Sequence, residues 1–236
     1  MGRTRMLLGD QKLEKLIDAH VLVTGLGGVG GICAEMIARA GVKRMTLADG
    51  DVVEATNRNR QIPALVSTDG RLKTEVMAER IRDINPEIEL TLVSDFLQDD
   101  KIPRMLDSAR FDYAVDCIDT LSSKVWFIKE CLDRGIPLVS SMGAGGKVDP
   151  TQVKILDISE TYNCKLAYYV RKRLHRMNIF RGVTAVFSAE KEAKGQIVVL
   201  PEGGPKRSVI GTMSYMPAVF GCMAASVVIR GLYDRR

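Results

Sequence analysis

Apolar residues along this chain switch repeatedly between two spacings, and the switching lays out the fold. Val21, Leu22 and Val23 form a short solid apolar run, as a strand buried on both faces requires. A glycine turn follows (Gly25, Gly27, Gly28, Gly30), then helical spacing from about Gly30 to Ala40, then a second apolar run from Met45 to Ala48 that ends at Asp49 and Asp51. Ahead of this unit, Leu13, Leu16 and Ile17 predict a short amphipathic helix reaching Ala19. Beyond it, Val76, Met77, Ile81 and Ile84 predict a helix from about Arg71 to Asn85, stopped by Pro86. A strand at Glu89 to Val93, a short helix at Ile102 to Ala109, a strand at Tyr113 to Ile118, a helix from about Ser122 to Arg134 and a strand at Pro137 to Ser141 follow.

Strands alternating with helices in this order predict an α/β fold, a Rossmann-like doubly wound sheet that is parallel through the N-terminal half, residues 1–142. The texture changes at Gly143, with a GAGG turn, an Asp149-Pro150 corner, and strands at Val153 to Ile158, Val183 to Ser188 and Ile197 to Leu200. The second half, residues 143–236, is therefore expected to extend the same sheet by mostly antiparallel strands within a single domain. Between those strands, Lys165 to Arg181 places Leu166, Val170, Leu174 and Met177 on one helical face and Arg171, Lys172, Arg173, His175 and Arg176 mostly elsewhere, with no acidic residue in the segment. Met213 to Leu232 is apolar and reads as a buried helix. A membrane span is the alternative for that length, but Ser, Gly and Cys keep it only moderately hydrophobic, so no stable span is expected.

At 236 residues and 46% hydrophobic content the chain can fill one large core. Its net charge of +5 suits a polyanionic partner or a merely basic surface, and the position of the charge must decide between them. Cys33, Cys117, Cys131, Cys164 and Cys222 include no CxxC pair, which argues against zinc and for reduced thiols in a cytoplasmic protein. The start, MGRTRMLLGDQK, is too short and too charged for a secretory signal.

The glycine turn brings chemistry with it. Its backbone can approach a phosphate closely, the helix behind it offers free N–H donors, and an acid at the next strand tip can accept from ribose hydroxyls. The polar loop VVEATNRNRQ then supplies Arg60, able to grip phosphate oxygens in a fork, and the next helix supplies Lys73 as a compact charge. Asp119 would complete the set as a magnesium ligand, and strand order gathers Asp49, Asp51 and Asp119 on one sheet edge. Each has a plainer reading: Arg60 a solvated loop residue, Lys73 a helix-surface lysine paired with a nearby glutamate, Asp119 the cap of the following helix. Hydride transfer has less use for such cations, so ATP cleavage is favoured and an NAD-dependent oxidoreductase is an alternative.

GLGGVG, LADGDVV, the pentad Asn57-Arg58-Asn59-Arg60-Gln61, GRLKTE around Lys73, INP at Ile84 to Pro86 and DCID ending at Asp119 together resemble the ThiF-type branch of the ubiquitin-activating-enzyme superfamily, whose members adenylate a carboxylate with ATP and magnesium. The resemblance implies that Gly27 and Gly28 face the phosphates and Asp49 the ribose. It assigns Asn57, Arg60 and Gln61 to the reacting region, Lys73 to the phosphates and Asp119 to the metal, and it implies a homodimer in which Arg3 reaches the neighbouring subunit's site. In the second half, GAGGKVDPTQV, YVRKRL, AVFSAE and EGGPKRSVIGTMSYMPAVFG are most similar to the tRNA threonylcarbamoyladenosine dehydratases. That implies a tRNA substrate, held by Lys165, Arg171, Lys172, Arg173 and Arg176 with Lys206 and Arg207, unless the basic helix is simply a solvated face. Relatives that adenylate a ubiquitin-like sulfur-carrier protein usually carry two CxxC zinc pairs, absent here; that adenylyltransferase is the other alternative. A sulfur-transfer protein is a further implied partner. Cys164, before the basic helix, is either a thioester or persulfide cysteine of the kind some relatives use, or a semi-buried thiol.

Overall fold

A computed structural model of the protein describes residues 2–191, 197–199 and 208–234. The main sheet is seven-stranded: β1 (His20–Thr24), β2 (Arg44–Ala48), β3 (Glu89–Val93), β4 (Tyr113–Asp116), β5 (Leu138–Ser141), β6 (Val153–Asp157) and β7 (Thr184–Ser188), ordered β3-β2-β1-β4-β5-β7-β6. Every neighbouring pair is parallel except β6 and β7. A separate antiparallel pair, β8 (Ile197–Val199) and β9 (Ser208–Ile210), completes the described strands. The predicted strand at Ile197 to Leu200 thus appears three residues long, and Leu200 lies outside the described residues.

The helices are α1 (Gly2–Leu8), α2 (Asp10–Asp18), α3 (Gly30–Ala40), α4 (Lys73–Ile84), α5 (Lys101–Asp107), α6 (Leu121–Asp133), α7 (Lys165–His175) and α8 (Tyr215–Tyr233). Strand pleating sorts them into two layers. Val21 and Val23 of β1 face one cluster with α3, α4 and α8, while Leu22 faces the other with α5, α6 and α7. This is why β1 reads as an unbroken apolar run.

α8 is long and apolar enough to cross a membrane by length and composition. Here Met216, Phe220, Ala224, Val228 and Leu232 recur at helical spacing, all buried, and join the core cluster of α3 and the sheet. It begins two residues later than the sequence pattern suggests, so that Pro217 falls in its first turn. α7 ends at His175, short of Met177, the last residue of the expected apolar face, because Asn178 takes a left-handed backbone (φ 60°) that no helix interior accommodates.

Connections leave β1 and β4 in opposite directions, to β2 on one side and to β5 on the other. A crevice therefore opens beyond their carboxyl ends, where the glycine turn lies. The turn is held by sterics: a Cβ added to Gly30 would sit 1.7 Å from the Gly25 carbonyl oxygen, whereas one added to Gly27 would meet nothing nearer than the Gln61 amide at 3.6 Å.

Two predictions follow from this packing. Gly30→Ala should cost about 3 kcal/mol or more in denaturant unfolding, while Gly27→Ala should fold with a loss near or below about 1 kcal/mol. The second concerns Glu35, a buried acid that accepts from Arg39 Nε at 2.8 Å and Arg80 Nε at 2.5 Å and so ties α3 to α4. Burial works against its charge, but the bonds from Arg80 and Arg39 outweigh it and hold its pKa below the usual carboxylate range. A depressed folded-state pKa means stability that is present above the unfolded-state value, about 4.3, and is lost as pH falls through the folded one. Glu35→Gln should be less stable than the wild type by about 1 kcal/mol near neutral pH, with the gap closing by pH ~3.

Candidate active site

Gly25 leaves β1 with φ 81°, its N–H bonded to the Ala48 carbonyl at 2.8 Å, and a Cβ there would lie 2.6 Å from the Cys117 carbonyl oxygen. The turn thus rests directly on the chain leaving β4. Asp49 ties it to β2: Oδ2 accepts the Leu26 N–H at 2.6 Å and Oδ1 the Asp51 N–H at 2.8 Å. Burial pushes the Asp49 pKa up, against the opposing pull of Lys73 and these two N–H groups. Gly28 faces Pro217 of α8 and the Arg60 carbonyl, so its missing side chain makes room for the first turn of that helix.

After Asp51 the polar loop is closed at its neck. Val52 and Leu72 form an antiparallel bridge, the Val53 N–H reaches Arg71 O at 2.8 Å, and the Gly70 N–H reaches Val53 O at 2.9 Å. This brings Lys73 back to Asp51, where its N–H meets the Asp51 carbonyl at 3.1 Å and Nζ meets Oδ2 at 2.8 Å. The Lys73 side chain is 5% exposed and that of Asp51 47% exposed. Lys73 is therefore no helix-surface lysine paired with a glutamate. It is a buried ammonium whose counter-ion opens to solvent.

Within the loop, Asn57 and Gln61 are both buried, and the Gln61 N–H bonds Asn57 O at 3.0 Å. The Gln61 carboxamide packs against Gly27, and its Oε1 is buried with no hydrogen-bond partner among the described residues. Leaving such an acceptor unsatisfied costs about 1–3 kcal/mol, a cost that a donor on a bound ligand, such as a ribose hydroxyl, would relieve. Arg60 is partly exposed and folds onto its own loop, donating to Thr56 O at 3.1 Å and Asn59 Oδ1 at 2.9 Å. Asn59 in turn donates to Thr212 O at 3.1 Å, joining this loop to the segment before α8.

Asp119 is exposed, just past the tip of β4. The cap position of α6 is Thr120, so the capping role does not fall to Asp119. Beneath it lies a network that motif reading passed over. Asp116 and Lys124 form a fully buried ion pair at 2.7 Å. Lys124 Nζ also donates to Ser141 O at 2.9 Å and lies 3.3 Å from Ser140 Oγ, which itself donates to Asp116 at 2.5 Å. The other Asp116 oxygen accepts the Ile118 N–H at 3.0 Å and so sets the path of the chain to Asp119. The available signal was a lysine among Val125, Phe127 and Ile128, on the apolar face of α6. Lys147 is a second residue passed over: buried, it donates to the carbonyls of Asn163 and Glu190, knitting the loops after β5 and β7 to the start of α7.

The residues expected to hold tRNA divide. Arg171 turns back onto the loop before α7, donating to Thr161 O at 2.9 Å and to the Thr161 hydroxyl, and Arg173 donates to Ser122 Oγ of α6 at 2.8 Å. Lys165, Lys172 and Arg176 are exposed, and Lys206 and Arg207 lie outside the described residues. Cys164 is buried at the start of α7. Arg3 sits on exposed α1, which packs on α2. In turn, α2 is tied to the far end of α8 by Lys12–Asp234 at 3.8 Å and Lys15 Nζ to Tyr233 O at 3.3 Å, so Arg3 does not reach the cradle of its own chain.

A crevice at the switch point of a doubly wound sheet, with a glycine turn at its floor and a buried ammonium beside it, defines an α/β nucleotide-binding protein equipped for phosphate chemistry. The chain belongs to the ThiF family, whose profile matches residues 1–235. It is 39% identical over 238 residues to the tRNA threonylcarbamoyladenosine dehydratase of Bacillus subtilis, covering 98% of this chain and 93% of that one. Its fold superposes on E. coli tRNA N6-threonylcarbamoyladenosine dehydratase in complex with ATP with a TM-score of 0.88 at 37% identity, covering 98% of this chain and 92% of the other. The match to the E. coli sulfur carrier protein ThiS adenylyltransferase, 34% identical, spans 61% of this chain and 59% of that one.

Removing the Lys124 ammonium strands Asp116 in the core. Lys124→Met should cost about 3–5 kcal/mol in equilibrium unfolding, and Lys124→Met with Asp116→Leu should recover most of it.

Proposed function

We propose that the protein is an ATP-dependent tRNA threonylcarbamoyladenosine dehydratase, adenylating the free carboxylate of the threonylcarbamoyl group on a tRNA adenosine and closing it into a ring. The observation that carries this reading is the match to dehydratases at 39% identity over 98% of this chain, where the adenylyltransferases match at 32–34% identity over 61–87% of it. A carboxylate oxygen attacks the α-phosphorus of ATP and pyrophosphate leaves. A carbamoyl nitrogen or oxygen of the same group then attacks the activated carbonyl carbon, AMP departs, and one water is lost overall.

No covalent enzyme nucleophile is needed, which fits the burial of Cys164. Charge grows on the α-phosphate and pyrophosphate in the first step. Lys73, held in place by Asp51, is the cation we assign there, with Arg60 swinging from its loop carbonyl to the phosphates. Gln61 and Asn57 would meet the ligand from the same loop, and Asp49 would meet the ribose beside the turn it braces. Asp119, an exposed hard-oxygen donor beside the cradle, would hold a magnesium ion. That ion supplies positive charge to the phosphate oxygens. Exposed α1 supports a homodimer in which Arg3 serves the neighbouring site, and the free cysteines support a cytoplasmic setting, with a sulfur-transfer protein as a further partner.

The reading is tested by pyrophosphate exchange. Stimulation by threonylcarbamoyl-modified tRNA, and none by a carrier protein ending in Gly-Gly, is the expected pattern; the reverse would make the protein a carrier adenylyltransferase. Lys73→Ala and Asp119→Ala should each abolish AMP formation while leaving the unfolding transition within about 1–2 kcal/mol of wild type, since Asp51 and Asp119 reach solvent. Full activity in either variant would remove that residue from the site.

A further inference from the structure

With Arg171 held by Thr161 and Arg173 bonded across the surface to Ser122 of α6, α7 presents a different outer face from the one its charge suggests. Lys165, Tyr168, Tyr169, Lys172 and His175 are its exposed residues, and with the capping Arg176 just past its end they form one continuous stripe. Tyr168 and Tyr169 are 51% and 50% exposed, and their rings meet edge to face at 5.2 Å, 71° apart. Burying apolar side chains is the cheaper arrangement for an isolated helix. Here two large aromatic rings stand in solvent instead, between cations and with no acid on the helix.

Cations alone hold phosphates. Cations interleaved with open aromatic faces hold phosphates and unstacked bases together, which is how looped or single-stranded RNA is gripped. The charge of the stripe selects a polyanion, and the rings select one with unpaired bases. Geometry agrees. Lys147 anchors the loop before α7 to the loops after β5 and β7, so the first turns of α7, with Lys165 and the tyrosines, lie toward the carboxyl edge of the sheet. At the other end, the chain leaving α7 at His175 runs directly into the start of β7 at Thr184, at the amino edge of the sheet. A helix of 11 residues runs about 16 Å, the rise of roughly four or five stacked nucleotides.

We propose that this outer face of α7 is an RNA-loop contact surface in which Tyr168 and Tyr169 stack on unpaired bases while Lys165, Lys172 and Arg176 neutralise the flanking phosphates. The proposal rests on the tRNA reading above and adds base contacts that no phosphate-binding patch would make.

The test is binding of the full-length protein to a stem-loop RNA with an unpaired loop and to the same stem closed as a blunt duplex. Wild type should prefer the stem-loop. Tyr168→Ala and Tyr169→Ala should each weaken stem-loop binding by about tenfold, with the slope of log affinity against log salt unchanged, whereas Tyr→Phe at either position should bind as wild type. Lys172→Ala should weaken both RNAs and lower the slope by about one. ATP affinity should be unaltered throughout, and a parallel loss of it would contradict a surface role. Stem-loop affinity in the alanine variants equal to wild type would overturn the stacking surface alone. Failure of the wild type to bind either RNA while still binding ATP would overturn it together with the tRNA reading.

Discussion

The Gly25 carbonyl oxygen fills the place where a side chain on the first residue of α3 would begin, and the architecture of the site is built around that contact. A Cβ on Gly30 would lie 1.7 Å from that oxygen, and one on Gly25 would lie 2.6 Å from the Cys117 carbonyl oxygen, so the chain turns here only because both positions lack a side chain. Closing the turn so tightly lays it on the Cys117–Ile118 backbone leaving β4, where Asp116 fixes the path to Asp119. It also presents the Leu26 N–H to Asp49 and leaves space at Gly28 for Pro217 of α8. Three strand tips and the last helix are thereby referred to a single backbone crossing. Rigid elements placed in this way are what preorganised electrostatic stabilisation of a developing charge demands.

Three buried lysines around that crossing show how partners decide role. Lys124 is fully enclosed, its ammonium shared among Asp116, Ser140 and Ser141, and none of its charge is left for a ligand. Among the described residues Lys147 donates to backbone carbonyls alone, and so holds loops together. Lys73 is as deeply buried, yet its carboxylate partner is half open to solvent, so an incoming phosphate can share the ammonium without stranding a buried acid. Burial alone would not have separated the three; the exposure of the counter-ion does.

The layered sheet was legible because strand pleating and helix periodicity each leave a plain trace, as in the unbroken Val21–Val23 run of a two-sided buried strand. The glycine turn, the acidic strand tips and Lys73 were legible because phosphate chemistry restricts residue types. What stayed hidden depends on partners distant in sequence. Lys124 reads as one more helix lysine until β5 brings Ser140 and Ser141 beneath it. Arg171 and Arg173 read as surface charge until Thr161 and Ser122 claim them, and that withdrawal is what exposes the tyrosine face of α7. The end of α7 was misjudged for a local reason, the left-handed Asn178, which composition does not announce.

A nucleotide cradle joined to a basic, aromatic outer helix accounts for a chain that activates a carboxylate carried on RNA. The most direct measurement is mass analysis of the modified nucleosides in tRNA from cells lacking this protein. The account predicts that the cyclic form of threonylcarbamoyladenosine disappears and the open form accumulates, with return of the cyclic form on re-expression of the wild type but not of Lys73→Ala. Undiminished cyclic nucleoside in the deleted strain would contradict it.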